Sequence, residues 1–98
     1  PAAPSGADAE IEAKARRVLS LVTDDVLEDL RAVSPSLVEV FRELQSQPVT
    51  ADRVRAVIRD AQATVDPLEL GVASRQFEPE LSNAFGLLIM RVLSEDSP

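Results

Sequence analysis

The chain contains no His, Cys, Trp or Tyr. Lacking His, it has no side chain whose ordinary titration lies near neutrality, and lacking Cys it has no thiolate nucleophile, disulfide or soft metal ligand. Most acyl-transfer and zinc constellations are outside its chemistry. Ser20, Ser36, Ser74 and Ser82 have no His to activate them, and Lys14, the only lysine, stands isolated. Gly6, Gly71 and Gly86 are too widely spaced to build a phosphate-cradling loop. These absences point to a protein that is not an enzyme and needs no cofactor or metal.

Aromatic residues amount to 3% of the chain, all of them phenylalanine, so the core has to be aliphatic with Phe41, Phe77 and Phe85 as its few bulky members. No apolar run approaches the roughly 20 residues needed to cross a bilayer. The N-terminus also lacks the basic start and apolar stretch of a signal peptide. Freedom from cysteine fits a reducing compartment, and a cytoplasmic location is the expectation. The first residue is Pro1 rather than Met, which leads to the expectation of a piece processed or excised from a longer protein. Basic residues are scarce, ten against seventeen acidic, and the net charge of −7 repels phosphate backbones. A partner is therefore expected to be a protein or a second copy, not nucleic acid or membrane.

What the chain does have is helical spacing throughout. Pro1 to Ala7 is small, uncharged and rich in helix breakers, which reads as an Ala/Pro linker. Residues 8–94 form the expected domain, and 95–98 read as a polar tail. From Asp8 to Val22, the positions Ile11, Ala15, Val18, Leu19 and Val22 trace one apolar face. Thr23 can cap a second helix with Asp24 and Asp25 in its first turn and Val26, Leu27, Leu30 and Val33 on its stripe, either continuous with the first or kinked from it. Ser34-Pro35 opens a third helix to about Gln45, carrying Leu37, Val38, Phe41 and Leu44.

Thr50 caps a fourth helix, Ala51 to about Thr64, with Val54, Val57, Ile58 and Ala61 facing inward. Asp66-Pro67 opens a short fifth carrying Leu68, Leu70 and Val72, which Gly71 is expected to weaken or end. Pro79 opens the last and most apolar helix, to Leu93. No segment alternates with period two. The fold class is all-α, a compact bundle of five or six short helices with sequential helices as neighbours.

Three features compete for a functional reading. Asp24, Asp25, Glu28 and Asp29 are the densest carboxylate group, but acids at a helix N-terminus are expected on dipole grounds alone. Arg53, Arg55 and Arg59 make the fourth helix locally basic. The third and fourth helices superficially match a helix-turn-helix, yet Asp52 and Asp60 on the same helix favour a solvated face with local ion pairs. The last helix is apolar on nearly every side: Leu87 and Met90 leave the main stripe, and Ser82 and Gly86 would admit a second helix closely. It is either the central core helix of a monomer or a surface shared with another chain.

An Ala-Pro tether leading into a short acidic helical unit resembles, in organisation and not in any motif, the docking and dimerisation modules at the ends of polyketide synthase subunits. The resemblance implies a module that brings subunits together. The expected function is a non-catalytic helical docking or dimerisation module of a larger protein. A bacterial source is expected from the bias toward Ala, Val and Arg over Lys. Contact residues are expected at Gly86, Leu87 and Met90, with Arg55 and Arg59 as a steering patch. The rival is a small acidic inhibitor or regulator that meets a basic partner surface through Asp24, Asp25, Glu28 and Asp29.

Overall fold

Helix starts in this chain are written in side chains that accept orphan N–H groups, and the structure uses nearly all of them. The computed structural model describes residues 6–46 and 48–96. Six α-helices follow one another: α1 (Gly6–Leu21), α2 (Asp24–Arg31), α3 (Pro35–Ser46), α4 (Ala51–Thr64), α5 (Pro67–Gln76) and α6 (Pro79–Leu93), closed by a 3₁₀ turn at Ser94–Asp96. No strand occurs among the described residues. The all-α bundle expected from the spacing is the fold observed.

Thr23 Oγ1 accepts the Val26 N–H at 3.3 Å, so α1 and α2 are separate helices and not one. Ser34, fully buried, accepts the Leu37 N–H at 3.2 Å and opens α3 ahead of Pro35. Thr50 accepts from Arg53, and Asp66 accepts from Leu68 at 2.8 Å. Each of these bonds satisfies a donor that the helix itself leaves unpaired. A further cap is non-local: Glu12 of α1 accepts the Ala51 N–H at 3.0 Å, tying the start of α4 to the middle of α1.

The longest packing seam joins the first and last helices, α1 against α6, with α4 beside both and α3 beside α4. Neighbours in space are thus only partly neighbours in sequence. The core runs through Ile11, Ala15 and Val18 of α1, Leu37 and Phe41 of α3, Val54 and Ile58 of α4, and Leu81, Phe85, Leu88 and Val92 of α6. At its centre the three phenylalanines meet. Phe41 lies 5.0 Å from Phe85 and 6.1 Å from Phe77, ring centre to ring centre, all in tilted or edge-on arrangements. Phe77 comes from the connection between α5 and α6, so the triad pins that connection to the core. The Cα radius of gyration, 13.2 Å, matches the about 13 Å of a packed chain of this length.

Two expectations about α5 need correction. Gly71 does not end the helix, which runs on to Gln76, because its backbone stays in the ordinary right-handed region and flanking turns carry the hydrogen bonds. The helix also presents apolar residues on two faces. Ala73 is fully buried and Leu70 half-buried, whereas Leu68 and Val72 lie on the opposite side in solvent. At the ends, Gly6 and Ala7 belong to α1 although the linker was placed up to Ala7. Glu95 and Asp96, expected as part of a polar tail, instead belong to the closing 3₁₀ turn, where Glu95 is held by Arg55, while the rest of the linker, Pro1 to Ser5, and the tail residues Ser97 and Pro98 lie outside the described residues.

Candidate functional site

The arginines of α4 face carboxylates brought from elsewhere in the chain. Arg55 donates to Glu95 from Nε and Nη2, at 2.8 and 2.9 Å, to Asp8 at 2.6 Å and to Asp52 at 3.3 Å. Arg59 lies 3.7 Å from Glu95, and Arg53 pairs with Glu43 of α3. The Arg55 guanidinium holds the Glu95 carboxyl below its ordinary range, chiefly by direct hydrogen bonding. The two carboxylates in turn raise Arg55 further above an already high value. The local pair Arg55–Asp52 expected from the sequence is present, but the stronger partners are the remote Asp8 and Glu95. This arrangement fastens both ends of the described chain to α4. The steering charge expected at Arg55 and Arg59 is spent inside the molecule.

The other expected contact residues share the outward side of α6 without converging on one pocket. Leu87, 46% exposed, lines a shallow groove between α1 and α6 together with Lys14, Arg17 and Glu80, and Arg17 pairs there with Glu80. Met90, one turn on, is 70% exposed. Gly86 is half-buried, and apart from its own helix backbone and chain neighbours no atom lies within 4 Å of the place where a Cβ would sit, so none of the described residues uses the close approach it allows. The α2 carboxylates Asp24, Asp25, Glu28 and Asp29 are all exposed, and no cluster able to hold a metal ion occurs among the described residues.

One further feature, to which Ile89, next to Met90 in the chain, contributes, was not picked out from the sequence. Leu37, Ile58, Ala61, Val65, Leu70, Phe85, Ile89 and Leu93 line an apolar groove of about 150 Å³ between α3, α4, α5 and α6. Only Gln62 among its lining residues is polar. Leu68 and Val72, 81% and 50% exposed, stand on the same short helix that supplies Leu70 to the groove. Together with Leu87 and Met90 these are the exposed large apolar side chains among the described residues, and all four belong to α5 and α6. The signal was in the sequence. Leu70, Ala73 and Phe77 recur at i, i+3 and i+7, Leu68 and Val72 at i and i+4, and one helix can turn only one of those faces inward.

A third groove, of about 400 Å³ between α3 and α4, is lined by Glu39, Glu43, Asp60 and Arg53 over Val40 and Val57. It is open and mainly charged at its rim. Comparison with protein-family models, with curated proteins and with solved structures finds no match for the chain.

Proposed function

We propose that this protein is a non-catalytic helical interaction module that docks onto another protein, or onto a second copy of itself, through the side formed by α5 and α6. The observation that carries this reading is segregation by element: among the described residues the exposed large apolar side chains, Leu68, Val72, Leu87 and Met90, all belong to the last two helices, which also help to wall an apolar groove, while α1 to α4 bury their large apolar residues wholly or in part. Single exposed apolar residues need no explanation, but their restriction to two consecutive helices is what a docking side would require. The lack of His and Cys supports the non-catalytic part. A role in joining subunits of a larger, bacterial, cytoplasmic assembly is part of the same proposal. No helix among the described residues is long and apolar enough to cross a membrane.

The test pairs Leu68→Glu with Met90→Glu in one chain. Both side chains lie in solvent, so helicity and melting temperature should hold, while self-association in sedimentation, or retention of a protein from the native host, should be lost. Equal behaviour of the two chains would overturn the proposal. A second reading, an acidic inhibitor, draws on α2, whose four carboxylates are exposed and form no ion pair among the described residues. It predicts binding that is indifferent to Leu68 and Met90 and falls steeply with salt.

A further inference from the structure

We infer that the groove between α3, α4, α5 and α6 receives an amphipathic helix of another protein, one that inserts a Leu- or Phe-sized side chain of its apolar face and carries Lys or Arg beside it. This rests on the docking reading above and adds the partner's chemistry to it. Size comes first. A space of about 150 Å³ walled by Leu37, Ile58, Val65, Leu70, Phe85 and Ile89 matches one aliphatic or aromatic side chain, because an apolar cavity of about that volume takes a benzene-sized group and stays dry otherwise. Form follows. Among the described residues there is no strand and so no sheet edge for an extended peptide to join, and an aliphatic furrow between helices suits the helix-in-groove mode, in which a helix laid along it inserts its apolar face.

Charge decides between a foreign helix and a second copy. Asp66 immediately precedes the lining residue Pro67, and Glu69 immediately precedes Leu70; neither carboxylate is in an ion pair among the described residues. The Asp66 carboxylate accepts the Leu68 backbone N–H, and its backbone carbonyl accepts the Leu70 N–H. On α4, Arg59 follows the lining residue Ile58 and lies 3.7 Å from Glu95. Beside these lining residues α5 and its cap thus carry two acids, Asp66 and Glu69, against one base, Arg75 in the last turn, on a chain of net charge −7. A second copy would bring the same sign against it, whereas Lys or Arg flanking an apolar anchor would complement it.

The experiment uses the full chain and two synthetic probes. One is a helical peptide of about 16 residues with Leu at i, i+3, i+4 and i+7 and Lys elsewhere; the other keeps the Leu pattern with Glu in place of Lys. Affinity is read by fluorescence anisotropy and location by amide chemical shifts. The Lys peptide should bind saturably, about tenfold or more tighter than the Glu peptide. Its shifts should centre on Ile58, Ala61, Leu70 and Ile89. The double variant Asp66→Asn with Glu69→Gln, which keeps the cap because Asn serves as well as Asp, should weaken it about three- to tenfold.

Equal binding of the two peptides in the groove would overturn the charge assignment and leave docking on α5 and α6 standing. Lys-peptide shifts centred on Asp24, Asp25, Glu28 and Asp29 would overturn the inference in favour of the acidic face. If neither peptide reaches the groove, the inference falls. If Leu68→Glu with Met90→Glu also leaves association unchanged, the docking reading falls with it.

Discussion

At the pole where α1, α4 and the closing turn meet, Arg55 is enclosed by Asp8, Asp52 and Glu95, whereas on the side of α5 and α6 Leu68 and Met90 stand more than two-thirds exposed. The first region satisfies itself: its charges are neutralised by residues up to 47 positions away, and its apolar stripes close on one another. The second does not. A helix as short as α5, with only Ala73 fully buried, gains little from its own packing and is held chiefly through Phe77 and the turn at Val65. The contrast teaches where so small a molecule closes on itself and where it leaves apolar surface open: the clasped pole ties both ends of the described chain to α4, and the side of α5 and α6 keeps Leu68 and Met90 in solvent.

Four substitutions would break or sharpen that contrast. The largest effect is expected from Phe41→Ala, which removes the ring that touches both Phe77 and Phe85 and should cost about 3–5 kcal/mol in denaturant unfolding. A cost under about 1 kcal/mol would mean that the triad does not hold α5 to the bundle. A smaller change is expected at the clasp. The folded-state Glu95 carboxyl lies below its ordinary range, so its contribution is present above the unfolded value and lost as pH falls through the folded one. Glu95→Gln should therefore flatten the acid limb of stability measured by thermal melts below about pH 5 and leave a smaller pH dependence, discounted because the pair is partly solvated.

Gly71→Ala should stabilise by about 0.5–1 kcal/mol, since Gly71 sits inside α5 with no left-handed φ and with open space where a Cβ would go. A loss of stability in chemical unfolding would show that α5 packs more tightly than its burial indicates. The least effect on stability is expected from Leu68→Glu, within about 0.5 kcal/mol, because that side chain is already in water.

Helix limits were largely legible. Ser34-Pro35, Thr50, Asp66-Pro67 and Pro79 mark starts by chemistry that acts within three residues, and the structure opens α3, α4, α5 and α6 there. The meeting of α1 with α6 was not legible, because periodicity says which face of a helix is apolar and not which other face it finds. Arg55 illustrates the same limit for charge. Its local partner Asp52 could be read at i−3, but Asp8 and Glu95 arrive through tertiary folding alone. For the candidate surface, Leu87 and Met90 were visible as departures from the α6 stripe, whereas the groove is a space left between four helices and has no sequence pattern of its own.

The central claim is tested most directly by measuring association side by side in two variants, one carrying Leu68→Glu and Met90→Glu, the other Asp24→Asn, Asp25→Asn, Glu28→Gln and Asp29→Asn. The account predicts that the first loses binding with its melting temperature intact and the second keeps it. Loss confined to the second would contradict the account and assign binding to α2.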